Sequence, residues 1–128
     1  MRILIADDNE AVRLGVARLL TSETGLTVCG EARDGAEALQ KARELLPDVI
    51  LLDFSMPGMN GLEAARVLRR ELPEAKILVI SQHDPIHLLP SVVEAGGDAC
   101  LDKSRLSTDL LASIKSLEVR PALSRETC

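Results

Sequence analysis

Val49-Ile50-Leu51-Leu52 is an unbroken aliphatic run that ends on Asp53 and passes into Phe54-Ser55-Met56-Pro57-Gly58-Met59-Asn60-Gly61, a segment of turn formers. Branched apolar residues in a row, bounded by turn chemistry, read as a strand covered on both faces, the position of a central strand in a parallel sheet. Residues 3–6 and 76–80 repeat the pattern on either side. Residues 27–32 and the short 99–101 complete five strand candidates.

Between these runs the apolar period becomes helical. Val12, Val16, Leu19 and Leu20 stand at i, i+4, i+7 and i+8, predicting an amphipathic helix that ends near Gly25. Ala38, Leu39, Ala42, Leu45 and Leu46 predict a second helix stopped by Pro47, and Leu62, Ala65, Leu68 and Leu72 a third stopped by Pro73. Leu106, Leu110, Ile114 and Leu117 predict a fifth, with Ser104 or Ser107 as its N-cap. The fourth is less regular. Asp84-Pro85 suits a helix start, but Pro90 would then fall in the interior at a cost of about 3 kcal/mol, so this helix is expected to start late or bend. Gly96-Gly97 reads as its C-terminal turn. Alternation of strand and helix predicts the α/β class, a doubly wound sheet of five parallel strands, over residues 1–117. From 118 to 128 the apolar period stops and Pro121 interrupts, which reads as a tail or linker.

The 128 residues suit one domain, and with 46% hydrophobic and 27% charged residues the chain reads as globular. No apolar run approaches the roughly 20 residues that span a bilayer. Phe54 is the only Phe, and there is no Tyr or Trp, so the core must be aliphatic and base stacking on aromatic rings is almost excluded as a binding mode. A formal charge of −5 disfavours attraction to nucleic acid or to an anionic membrane. Cys29, Cys100 and Cys128 form no CxxC pair, and the N-terminus lacks the pattern of a secretion signal. A reducing cytoplasm fits both features.

In an open parallel sheet, ligands bind beyond the carboxyl ends of the strands where the strand order reverses. At those ends stand Asp7 and Asp8, Asp53, Ser81, and Asp102 with Lys103. In the order 2-1-3-4-5, strands one and three meet at the switch point and bring Asp7, Asp8 and Asp53 into one cleft. Three close carboxylates either protonate or hold a cation. An oxygen-only ligand set with room for water and phosphate suits Mg²⁺ better than zinc or a closed Ca²⁺ cage. Lys103 is then the sole cation expected near the cluster, placed to hold a phosphoryl oxygen, with the Ser81 hydroxyl as a second donor. A carboxylate nucleophile, a metal and an opposing lysine are the parts that phosphoryl transfer to aspartate requires.

Over residues 2–117 the sequence resembles the receiver domain of bacterial two-component response regulators. The likeness rests on Asp7-Asp8, on Asp53 closing its aliphatic run, on the Met56-Pro57-Gly58-Met59-Asn60-Gly61 turn, on Ser81 and on Lys103, in that order along the chain. It implies a flavodoxin-like (βα)5 fold with strand order 2-1-3-4-5. It implies Asp53 as phosphoacceptor, with Asp8, Asp53 and the Ser55 carbonyl ligating Mg²⁺ and Asp7 acting through water. Phosphoryl oxygens would meet Lys103, Ser81 and the amides of Phe54 and Gln82. The implied donor is a histidine kinase, a phosphotransfer protein or a small phosphodonor. The implied readout is a change in a surface seen by an output partner or domain, or by a second copy in a homodimer. Such a chain catalyses only its own phosphorylation and dephosphorylation. Two positions depart from the family pattern: Cys100 stands where an aromatic residue is usual, and Ser104 where many receivers carry Pro after a cis bond.

Other readings compete. A Mg²⁺-dependent phosphatase with an aspartate nucleophile would need a second Asp two residues after Asp53, where Ser55 stands. A constitutive interaction module would use the same fold without phosphorylation, a reading that Cys100 and Ser104 motivate. Ser81, His83 and Asp102 include the residue types of a hydrolase triad, yet Val79-Ile80-Ser81-Gln82-His83 lacks the GxSxG elbow. His83 and His87, with Pro85 between them and no third ligand, read as solvent-facing rather than as a metal pair.

Overall fold

The computed structural model describes residues 1–82 and 84–119, with side chains through Leu117. The elements run β1 (Arg2–Ala6), α1 (Glu10–Thr21), β2 (Thr27–Ala32), α2 (Gly35–Leu45), β3 (Val49–Asp53), α3 (Gly61–Glu71), β4 (Lys76–Ser81), α4 (Pro85–Glu94), β5 (Ala99–Asp102), a 3₁₀ turn (Lys103–Arg105) and α5 (Leu106–Val119). The strands form one parallel sheet in the order β2-β1-β3-β4-β5, the predicted doubly wound arrangement.

Side chains alternate across a pleated strand, so the central strands β1, β3 and β4 each feed two cores. Leu4, Ala6, Ile50, Leu52 and Ile77 pack with Ala38, Leu39 and Ala42 of α2 and Ala64, Ala65 and Leu68 of α3. Ile3, Ile5, Val49, Leu51, Leu78 and Ile80 pack with Val16 and Leu20 of α1 and Leu110 and Ile114 of α5. Both layers are aliphatic, as the near absence of aromatic residues requires. Among the described residues no helix is long and apolar enough to cross a membrane.

Several boundaries differ from the sequence reading. Strands β3, β4 and β5 each run one residue further, so Asp53, Ser81 and Asp102 are paired strand residues, in register Asp53 with Ile80 and Ser81 with Asp102. Helix α1 stops at Thr21, capped by Ser22, and Gly25 lies in the following loop at φ +91°. Neither Ser104 nor Ser107 caps the last helix. Asp102 does the capping one turn earlier, accepting from the Ser104 amide at 2.9 Å and the Ser104 hydroxyl at 2.7 Å and so starting the 3₁₀ turn. The described residues contain no cis peptide bond, so Lys103-Ser104 is trans. Residues 120–128, most of the expected tail, lie outside the described residues, as do Cys128 and His83.

The late start expected for α4 is not found: the helix runs uninterrupted from Pro85 to Glu94. Asp84 makes this feasible, its carboxylate accepting from the Ile86 amide at 2.9 Å while Pro85 occupies the first turn, where no donor is needed. Pro90 removes the bond to the Ile86 carbonyl, but Ile86 is 79% exposed and water can take that bond. Pro90→Ala restores a donor and relieves the ring clash, and is expected to stabilise the protein by about 1 kcal/mol. A thermal melt unchanged or lowered by the substitution contradicts this.

Candidate phosphoryl-transfer site

The carboxyl ends of β1 and β3 are neighbours, and the site forms there. Asp7 follows Ala6 and is 2% exposed. Its amide donates to the Ala32 carbonyl at 3.0 Å, its Oδ1 accepts from the Asn9 amide at 2.8 Å, and its carbonyl accepts from Arg13 Nη1 at 2.7 Å. Asp53 ends β3 at 3% exposure, and the Ser55 amide points at its Oδ1 across 3.4 Å. Lys103 Nζ lies 3.0 Å from Asp7 Oδ2 and 3.3 Å from Asp53 Oδ2. Ser81 is buried at the end of β4. Asp8 is exposed and completes the acidic group, with one carboxylate oxygen each from Asp7, Asp8 and Asp53 within 4.8 Å of one another. A cleft of about 380 Å³ opens beside them, lined by Asp8, Asn9, Asp53, Ser55, Gln82 and Lys103.

Burial, and then the charge of Asp7, push the Asp53 carboxyl up to about 6, with Lys103 pulling the other way. Burial disfavours the charged form of Lys103, but contact with Asp7 and Asp53 outweighs it and raises the pKa of the ammonium. One ammonium therefore leaves the cluster short of positive charge. Asp7 Oδ2 is buried without a hydrogen bond, its neighbouring cation being the Lys103 ammonium at 3.0 Å, which Asp53 shares. An orphaned carboxylate oxygen beside two further carboxylates is what a hard divalent cation resolves, and the donor set is all oxygen. The residues fit Mg²⁺.

The structure thus brings together Asp7, Asp8, Asp53, Ser55, Gln82 and Lys103, with Ser81 at the same sheet edge. The Phe54 amide is differently placed: it donates to the Ile80 carbonyl at 2.8 Å, so the amide facing the acceptor carboxylate is that of Ser55. The expectation of a single nearby cation is also corrected, since the Arg13 guanidinium reaches the Asp7 backbone. Sequence reading missed Arg13 and Asn9. Asn9 carried a usable signal, an N-cap residue type ahead of the α1 stripe, and it does cap that helix by accepting from the Val12 amide at 3.2 Å. Arg13 carried none. Cys100 is half-buried and burial raises its thiol pKa, which argues against a reactive thiolate. His87 is exposed and pairs with Asp84 at 3.1 Å.

The family model described as response regulator receiver domain matches residues 3–115. The chain belongs to this family. Receiver domains of this kind serve signal transduction in two-component systems. Among curated relatives, the chain is similar to the transcriptional regulatory protein LiaR of Bacillus subtilis, 39% identical over 116 residues, covering 91% of this chain and 55% of that protein. It is also similar to the response regulator GacA of Pseudomonas viridiflava, 37% identical over 115 residues, covering 90% of this chain and 54% of that protein. The receiver thus spans about half the length of these relatives. Among solved structures it is similar to a LuxR-family two-component response regulator from an Aurantimonas species, with a TM-score of 0.86 at 34% identity, covering 91% of this chain and 83% of that one. A CheY-like receiver domain protein from Methanospirillum hungatei matches with a TM-score of 0.86 at 26% identity, covering 96% and 97%.

Proposed function

We propose that this receiver is a phosphorylation-dependent switch in which Asp53 accepts a phosphoryl group from a phosphohistidine of a kinase or phosphotransfer protein, or from a small acyl phosphate. The observation that carries the reading is a buried carboxylate, Asp53, facing an open cleft with an ammonium at 3.3 Å and two further carboxylates beside it. One Asp53 oxygen attacks phosphorus, the bond from phosphorus to the donor's nitrogen or oxygen breaks, and the donor leaves with that electron pair. The product is an aspartyl phosphate. Asp7, Asp8 and Asp53, with the Ser55 carbonyl, would hold Mg²⁺, and the bound ion supplies charge neutralisation for the transferring group.

The chain's own residues do the rest. Lys103 takes one phosphoryl oxygen as a point charge, and the Ser81 hydroxyl and the amides of Ser55 and Gln82 take the others. Because Ser81 and Gln82 lead directly into α4, the new charge acts on the segment that sets that helix. The readout is then a changed surface for an output partner or output domain. A cytoplasmic location fits a kinase donor.

The test is incubation of the native chain with acetyl phosphate and Mg²⁺. Expected is a mass gain of one phosphoryl group, lost in alkali, mapped to Asp53 by borohydride reduction, and absent when EDTA replaces the metal. Label on a serine or histidine, or uptake indifferent to EDTA, overturns the reading.

A further inference from the structure

Asp8 is the least supported member of the acidic cluster. Among the described residues its carboxylate has no hydrogen bond or ion pair, and it sits exposed in the connection between β1 and α1. Its direction is therefore set by its backbone. The peptide group that carries the Asp8 nitrogen has the Asp7 carbonyl as its other half, and Arg13 Nη1 donates to that oxygen at 2.7 Å. The guanidinium is itself anchored: Nε donates to Glu31 Oε1 at 3.1 Å, and Glu31 stands on β2 in register with Ile5 of β1. Only 15% of the Arg13 side chain is exposed, so this is an ordered bridge from helix to sheet.

We infer that Arg13 is a positioning residue for the acidic pair, fixing the Asp7-Asp8 peptide plane through its bond to the Asp7 carbonyl and thereby setting the affinity of the site for a divalent cation. The inference rests on the reading of the cluster as a Mg²⁺ site. Two effects of Arg13 oppose each other. Its positive charge alone lowers metal affinity by repelling the cation, whereas its hold on the peptide raises affinity by keeping two carboxylates aimed at one point. Removing Arg13 therefore changes affinity in opposite directions under the two accounts.

The experiment is isothermal titration of the metal-free protein with Mg²⁺ for the native chain, Arg13→Ala and Arg13→Lys, with circular dichroism and a thermal melt on each. Expected is a tenfold or greater rise in Kd for Arg13→Ala, within the range of about 10–100-fold seen when an outer partner of a metal site is lost. Arg13→Lys keeps the charge but replaces two separately aimed nitrogens, Nε toward Glu31 and Nη1 toward the Asp7 carbonyl, with a single one, so its Kd should fall between the other two. Affinity in Arg13→Ala that is unchanged or tighter, with the fold intact, overturns the inference. Should Arg13→Ala fail to fold, a Kd for Arg13→Lys equal to the native value overturns it. A native chain that binds no Mg²⁺ overturns the metal reading itself, which separates the two failures.

Discussion

Asp53→Asn is expected to take up no phosphoryl group from acetyl phosphate and, in metal-free buffer at pH 7, to melt above the native chain. The first effect follows from chemistry, since a carboxamide cannot serve as the attacking oxygen anion. The second follows from the electrostatics of the site. Burial and Asp7 raise the Asp53 carboxyl from 3.8 to about 6 in the folded protein. An acid raised in this way favours folding when protonated. Its contribution is fully present below the unfolded value near 4, and is lost as pH rises through about 6. The gap corresponds to about 3 kcal/mol of native-state cost at neutral pH, at about 1.4 kcal/mol per pH unit.

Asparagine removes that cost, in which the pull of Lys103 is already counted, so a net gain of about 2–3 kcal/mol and a melting point several degrees higher are expected. Below pH 4 the two proteins should converge, since Asp53 is then neutral in both states. Saturating Mg²⁺ should narrow or reverse the difference at pH 7, because a ligand at 100 times its Kd stabilises the folded state by about 2.7 kcal/mol and the native cluster binds it better. Melting curves at pH 4 and pH 7, in EDTA and in Mg²⁺, check all of this. An Asp53→Asn protein that melts below the native chain at pH 7 in EDTA contradicts the electrostatic account.

That functional strain was legible in the sequence because its parts lie where strand periodicity ends. Asp53 closes an aliphatic run, and Asp7 and Ser81 each follow one, so recognising the strands also located the site. The residues that hold those parts in place follow no period. Arg13 is one more basic residue on a helix until α1 packs beside β2, and only then does its guanidinium meet both Glu31 and the Asp7 carbonyl. Capping escaped for a related reason: Ser104, Ser107 and Asp102 are all acceptable cap types, and the choice of Asp102 depends on β5 running one residue further to pair with Ser81. The late start offered for α4 fails because an interior proline was weighed as though its lost bond were buried, while Ile86 faces solvent. The bond from the Phe54 amide to the Ile80 carbonyl was hidden for a related reason. Asp53 pairs with Ile80, and the next amide, that of Phe54, continues the ladder by donating to the Ile80 carbonyl.

Gly61→Ala is expected to damage fold and chemistry together. Gly61 opens α3, and its amide donates to the Phe54 carbonyl at 2.9 Å, which brings the helix start against the end of β3. A Cβ there would lie 2.6 Å from the Asp53 carbonyl oxygen and 3.0 Å from the Phe54 Cα. Both are backbone atoms, so no flexible side chain can yield and the strand end itself must move. Overpacking of this kind costs typically 1–3 kcal/mol, and the upper end is expected here because the displaced strand is the fully buried centre of the sheet. The same movement shifts Asp53 relative to Lys103 and the two neighbouring acids, and a misplacement of about 1 Å in a reacting group can cost about 100-fold in rate. Gly58 supplies the control. It lies in the same turn at φ +76°, but a Cβ there meets nothing within 4 Å, so Gly58→Ala pays only the left-handed backbone cost of about 1–2 kcal/mol and leaves Asp53 in place. Expected, then, is phosphoryl uptake from acetyl phosphate at near the native rate for Gly58→Ala and at least tenfold slower for Gly61→Ala, both measured well below their melting points. Equal rates in the two variants would show that β3 absorbs the extra methyl without moving the acceptor.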